Sequence, residues 1–298
     1  MPQVTCRIFF FLNFFIEKIF ICGIIFLLLY SNQELRIMKI VNPTVSRIDS
    51  ANENPLESIE SAARICYASE SKGNPSGFVN RLIKQDHGRP LEFGTVRLAI
   101  PDTDKFEKEI KLLKTNRYTK CEFDCGICYI TTNYRVIIEN DLKYLVDWNA
   151  LFGKKTGMFH ERPAYRWTIS RGIADEFRTH TMLSTLMQST RYCNYSKDKF
   201  DKQVTFVRPT WFDHKKWCRR VMKLAWWMIE KFYLLLIRMG CTAQEARDVL
   251  PLGVKTEMVQ CGFEEDWDNF WYRRCATDAH PDARYIANKA KAQFHRKG

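Results

Sequence analysis

The stretch Ser170 to Phe200, SRGIADEFRTHTMLSTLMQSTRYCNYSKDKF, decides how the chain is read, because it carries Arg171, Arg178, His180, Ser189 and Arg191 around a short helical segment. Such clusters bind anions. Gln188-Ser189-Thr190-Arg191-Tyr192 offers an amide, two hydroxyls and a guanidinium, the donor set that grips a phosphate monoester and orients a base. A nucleotide is the expected ligand. A serine near His180 also suggests an acyl-transfer pair, but no Gly-x-Ser-x-Gly elbow surrounds Ser189, so hydrogen bonding to the ligand is its expected task.

On the N-terminal side, Ile40 to Val45 reads as a strand, and Asn54-Pro55-Leu56-Glu57 starts a helix with an N-cap Asn, Pro in the first turn and Glu at the capping-box position. A second helix carries Phe78, Leu82 and Ile83 on its apolar face and stops near Gly88. Thr95 to Ile100 is a strand ended by Pro101, Thr103 to Lys114 and Asp141 to Phe152 have helical patterns, and Tyr165 to Ile169 is a further strand. On the C-terminal side, Trp217 to Met239 is a helix apolar nearly all round and closed by Gly240, so it reads as a core helix or as an oligomer-forming element. Thr242-Ala243-Gln244-Glu245 is a capping box for a short helix ending before Pro251. Strands mixed with helices, without regular βαβ alternation, predict an α+β domain.

The 298 residues, 46% hydrophobic and 14% aromatic, are ample for a packed core and exclude a disordered chain. A formal charge of +12 favours anionic partners. The basic runs are short, at His214-Lys215-Lys216, Arg219-Arg220 and His295-Arg296-Lys297, and read as solvated faces, so nucleic acid is not expected. Eleven cysteines without regular pairing spacing point to a reducing compartment, the cytoplasm.

Cys121-x3-Cys125-x2-Cys128 has the spacing that holds three irons of a [4Fe-4S] cluster, as in the radical S-adenosylmethionine enzymes. Ile127 stands where those enzymes carry an aromatic, and no glycine-rich sulfonium-binding segment follows. The competing reading places these cysteines in a hairpin such as Tyr118 to Tyr129, inserted before a strand, with zinc binding as an intermediate alternative.

The Ser170–Phe200 stretch resembles the signature of the flavin-dependent thymidylate synthases. There an Arg-His-Arg triplet is followed after seven residues by Ser and, two further on, by Arg. Here the match is Thr179-His180-Thr181, then Ser189 and Arg191, with both signature arginines replaced by threonine and Met187 in place of the usual Gln. His87-Gly88-Arg89-Pro90-Leu91-Glu92 is similar to the family's early flavin-binding segment, with Arg89 at its hydroxyl position. Ala246-Arg247-Asp248-Val249-Leu250-Pro251 and Trp267-x2-Phe270-x3-Arg274 match further downstream.

The resemblance covers about residues 38 to 294. It implies a single α+β domain, a mixed sheet with flanking helices, assembling as a homotetramer with active sites at subunit interfaces. Such an enzyme makes dTMP from dUMP, taking its one-carbon unit from 5,10-methylenetetrahydrofolate and its hydride from FAD reduced by NADPH. The resemblance gives dUMP to Glu176, Arg178, Gln188, Ser189, Thr190, Arg191 and Arg247, and makes Arg274 the catalytic cation at the uracil. FAD falls to His87, Arg89, Thr179, His180, Thr181 and Asn269. Losing one charge-assisted hydrogen bond costs about 1.5–3 kcal/mol, so the absent arginines need replacement, for which Arg89 and Arg178 are the candidates. A charge pair between Asp175 and Arg178 is the alternative for the second. A different class of function also fits the altered triplet, Met187 and Phe263-Glu264-Glu265: a non-catalytic relative that binds the nucleotide without flavin.

Arg7 to Tyr30 is apolar enough to suggest a membrane anchor, but Glu17 and Lys18 interrupt it, each costing roughly 2.5–3.5 kcal/mol at a bilayer centre. MKIVNPTVSRIDS from Met38 opens like a soluble domain. The expected division is therefore an apolar extension over 1–37, with Met38 as the alternative start, and a domain over 38–298.

Overall fold

The computed structural model describes residues 38–48, 54–71, 73–149 and 158–294; the apolar stretch Arg7 to Tyr30 lies outside them. At the centre is a four-stranded antiparallel sheet of β2 (Thr44–Ile48), β6 (Ala164–Ser170), β9 (Lys255–Cys261) and β7 (Ser184–Met187), in the order β2-β6-β9-β7. Strand alternation sends Tyr165, Trp167, Ile169 and Met258 to one face, and Ala164, Val259 and Cys261 to the other. The first face packs on α7 (Arg171–Arg178), α10 (Glu264–Arg274) and α11 (Pro281–Lys291), through Phe177, Trp267, Phe270, Trp271 and Ile286. The second faces α1 (Pro55–Tyr67) through Ala62 and Ile65. The layers are thus helix, sheet, helix, the expected α+β class.

Beside this sandwich, β3 (Thr95–Pro101), β5 (Ile127–Asn133) and β4 (Lys120–Asp124) form an antiparallel sheet. It shares a core with α2 (Pro75–Lys84), α3 (Gly88–Leu91), α4 (Glu107–Thr115), α5 (Tyr134–Glu139) and α6 (Lys143–Asn149). The β4–β5 turn is Cys125-Gly126, with φ of 48° and 74°, the two-residue turn with both central residues left-handed that matches strand twist. A third unit pairs β1 (Lys39–Val41) in parallel with β8 (Thr205–Val207), over α8 (Lys216–Arg238).

Two sequence expectations are corrected. The strand Ile40 to Val45 is two strands, β1 and β2, in different sheets; the break falls at Asn42-Pro43, where proline has no N–H to continue a ladder. The Trp217 to Met239 helix is not buried all round within one chain. Trp226, Glu230, Tyr233 and Leu234 face the core, while Trp217, Val221, Leu224, Met228, Phe232, Leu235 and Met239 form an exposed stripe. Buried Glu230 is tied by accepting the Val204 N–H at 3.0 Å. No helix among the described residues is long and apolar enough to cross a membrane.

Candidate functional site

Short α7 and aromatic α10 together build the first part of the site. Ser170 caps α7 by accepting the Ile173 N–H, and Phe177 is held at its far end between Trp167 and Phe270, with ring centroids 5.1 and 4.8 Å away. On α10, Phe270 lies one turn before Arg274, so the packed ring fixes the direction in which the guanidinium leaves the helix. The two helices meet at their C-terminal ends.

There Arg274 is almost fully engaged. Its Nε–H donates to His180 Nε2 at 2.9 Å, Nη1 to Glu176 Oε2 at 2.8 Å, and Nη2 to both the Glu176 carbonyl at 2.6 Å and Thr179 Oγ1 at 3.0 Å. A guanidinium has five N–H groups, so one on Nη1 remains for a ligand. Thr179 Oγ1 in turn donates to the Glu176 carbonyl at 2.7 Å. Burial lowers the His180 pKa to about 4, and Arg274 and Arg273 add to the effect. His180 is therefore neutral near pH 7, and its accepting Nε2 puts the ring proton on Nδ1. Four of the expected residues, Glu176, Thr179, His180 and Arg274, thus come together.

Arg178 does not join them. Its side chain is 63% exposed and lies 3.4 Å from Asp175, the charge pair foreseen as the alternative. The structure also corrects the picture of one compact cluster over 170–200. Strand β7 separates the triplet from Gln188-Ser189-Thr190-Arg191, and its four residues span on the order of 13 Å.

The second part of the site lies at the other end of β7. Gln188 N–H donates to the Glu257 carbonyl at 2.8 Å and Ser189 N–H to the Cys66 carbonyl at 2.9 Å, while Arg171 Nη1 holds the Gln188 carbonyl at 3.3 Å. Ser189 Oγ accepts the Arg191 N–H at 3.3 Å, Thr190 is buried, and Arg191 Nε donates to Gln244 Oε1 at 3.0 Å. That contact brings Arg191 to α9 (Ala243–Ala246), directly before Arg247, which lies 3.8 Å from Asp248. Arg191 is thereby tied to the helix that directly precedes Arg247, through a glutamine that sequence reading missed.

Gln188 also lines an open cavity of about 1180 Å³ between α1 and the sheet. Its charged lining includes Glu60, Arg64, Arg166 and Glu257. Buried Glu60 accepts from Arg64 Nη2 at 2.7 Å and from Ser71 Oγ at 2.9 Å. Arg166 pairs with Glu257, which Lys255 also holds at 2.7 Å. Burial pushes the Glu257 pKa up, but the two cations outweigh it and the net shift is downward. Sequence reading missed these residues as well. The available signals were the i,i+4 spacing of Glu60 and Arg64, and a lone arginine in an aromatic strand.

The residues expected along FAD are spread over three elements. His87 and Arg89 stand at α3, where Arg89 is 3.8 Å from Glu92; that buried carboxylate also receives Arg135 at 2.7 Å. Asn269 is on the exposed side of α10. The triplet itself is flanked by guanidiniums from elsewhere, Arg274 at Thr179 and Arg117 at the Thr181 carbonyl, the latter 3.4 Å away. Glu265, an unhelpful charge for a pyrophosphate, lies 3.9 Å from Lys120. Two guanidiniums therefore stand at the turn although the triplet itself carries no arginine.

The three-cysteine motif does not form a cluster site. Cys121 and buried Cys128 are hydrogen-bonded neighbours across the β4–β5 hairpin, whereas Cys125 sits in the exposed turn against Asp124. Among the described residues no group of three or more His, Cys, Asp or Glu could hold a metal ion.

Residues 156–297 match the family described as thymidylate synthase complementing protein. Solved structures similar to the chain include the UMP/dUMP methylase PolB from Streptomyces cacaoi bound with 5-Br UMP. It is 13% identical at a TM-score of 0.43, over 86% of this chain and 90% of that one. The same enzyme bound with 5-Br dUMP is 14% identical at a TM-score of 0.43, over 86% and 91%. No curated protein matches the chain.

Proposed function

We propose that the chain, whose residues 156–297 match the thymidylate synthase complementing protein family, methylates dUMP to dTMP. The observation that carries this reading is the preorganised guanidinium of Arg274, locked by Glu176, His180 and Thr179 with one N–H still available. A cation fixed in advance stabilises charge that develops in the transition state without reorganising. In the proposed reaction 5,10-methylenetetrahydrofolate supplies the one-carbon unit, uracil C5 gains a carbon and loses its proton, and a hydride completes the methyl group. FAD, when bound and reduced by NADPH, would supply that hydride.

Each residue then has a defined task. Arg274 offers its Nη1 N–H to the uracil and stabilises negative charge as N3 is deprotonated or electrons move to C5. Glu176 and neutral His180 hold the guanidinium in place, and His180 adds no competing charge. Gln188, Ser189, Thr190, Arg191 and Arg247 bind dUMP, with the phosphate on the guanidiniums and Arg171 bracing the Gln188 carbonyl. His87, Arg89, Asn269 and the 179–181 turn would lie along FAD. No protein nucleophile is required.

The two parts of the site stand at opposite ends of β7, which supports active sites completed between subunits of a homotetramer. The catalytic domain is assigned to 38–298 and the apolar extension to 1–37, in a cytoplasmic enzyme. An anaerobic visible spectrum of the purified full chain with FAD, before and after dUMP, tests the assignment. Flavin bands perturbed by dUMP are expected. A protein that ignores FAD would leave a nucleotide-binding relative without flavin as the better account.

A further inference from the structure

We propose that Arg117, delivered by the turn between α4 and β4, binds the diphosphate of the dinucleotide cofactor at the Thr179–Thr181 turn. The inference rests on the flavin reading above and assigns a residue to it that lies far from the signature in sequence. Each threonine at a signature-arginine position is touched by an arginine from elsewhere: Thr179 Oγ1 by Arg274 Nη2 at 3.0 Å, and the Thr181 carbonyl by Arg117 Nη2 at 3.4 Å.

The charges around the turn single out Arg117. The C-terminal ends of α7 and α10 meet here, and helix C-termini carry partial negative charge that repels an anion. Arg274 is balanced by Glu176 at 2.8 Å, and Arg178 by Asp175 at 3.4 Å. His180, neutral as shown above, contributes no charge. Arg273, whose charge also reaches His180, lies over the Tyr272 ring, whereas among the described residues Arg117 is the guanidinium hydrogen-bonded to the turn that no carboxylate offsets. One of its five N–H groups is on the Thr181 carbonyl, and the side chain is exposed, so further donors remain for phosphate oxygens.

Its position is set by local structure. The guanidinium lies 4.5 Å from the Tyr118 ring centroid. Asn116 Oδ1 accepts the Tyr118 N–H at 2.9 Å, and the Asn116 carbonyl accepts the Thr119 N–H at 3.0 Å. Buried Thr119 and Thr132 share a 2.8 Å hydroxyl bond that ties the turn to β5. Lys120, three residues on, pairs with Glu265 at the start of α10 and holds this edge of the hairpin against the helix.

The test measures binding rather than turnover. Wild type, Arg117→Ala, Arg117→Gln and Arg117→Lys are titrated with FAD by flavin fluorescence anisotropy and with inorganic pyrophosphate as competitor, and dUMP binding is measured separately by calorimetry. Replacement by Ala or Gln is expected to weaken FAD and pyrophosphate about ten- to hundred-fold, with Lys restoring part of the loss and dUMP affinity unchanged. Wild-type FAD affinity retained in both Ala and Gln variants would overturn the assignment and leave the flavin reading standing. A wild type that binds neither FAD nor pyrophosphate would overturn both.

Discussion

Arg274 and His180 are 94 residues apart in the chain and meet through a 2.9 Å hydrogen bond in which the arginine Nε–H donates to imidazole Nε2. The bond requires His180 to be neutral, and burial beside two arginines keeps it so down to about pH 4. A histidine whose folded pKa lies below its unfolded value takes up fewer protons when folded, so its contribution to stability falls as pH drops from about 6.5 toward 4. Thermal midpoints measured between pH 4 and 7 should decline on the acid side. In His180→Gln, which has no ring to protonate, the decline should be shallower; an unchanged slope would place the acid sensitivity elsewhere.

Arg274→Lys keeps a charge but cannot reach Glu176, His180 and Thr179 together. Loss of a preorganised stabilising group predicts kcat down by about 10²–10³, with dUMP affinity changed less than about tenfold. Steady-state kinetics paired with calorimetry separates the two. A variant that loses dUMP binding and keeps kcat would make Arg274 a binding residue.

Arg191→Ala should weaken dUMP binding by about ten- to hundred-fold while leaving the thermal midpoint of the free protein nearly unchanged, because this arginine is exposed and its Gln244 partner is at the surface. Gln244→Ala should act in the same direction with smaller size, by releasing the guanidinium. Calorimetric titration with dUMP reads both.

Glu60 is 2% exposed and holds Arg64 and Ser71 at once. Glu60→Ala leaves Arg64 without its carboxylate in a largely buried position and should destabilise the fold by about 3–5 kcal/mol in urea unfolding. Glu60→Gln retains hydrogen-bonding capacity and should cost less.

Local signals in the sequence were reliable where one residue dictates the backbone. Asn54 accepts the Leu56 and Glu57 N–H groups as an N-cap must, Gly240 ends α8 with φ of 101°, and Thr242 and Glu245 form their reciprocal cap. Pairing partners were not legible from such signals. Nothing local tells that the segments on either side of Pro43 join sheets with partners more than a hundred residues away. The same limit applied to the site. Arg274, His180 and Glu176 were identified through resemblance, but the distance β7 places between 179–181 and 188–191 emerged from the three-dimensional arrangement. So did the cavity charges Arg64, Arg166 and Glu257, whose i,i+4 and strand-exposed positions look like ordinary surface. Arg117 escaped for a related reason, since it lies in a turn 64 residues from Thr181.

The central claim is tested most directly by tritium release from dUMP labelled at C5, using the full chain with FAD, NADPH and 5,10-methylenetetrahydrofolate. The account predicts release that depends on all three and is lost in Arg274→Ala, because C5 must give up its proton as it gains the new carbon. A wild-type chain that binds dUMP and FAD yet releases no tritium would contradict it.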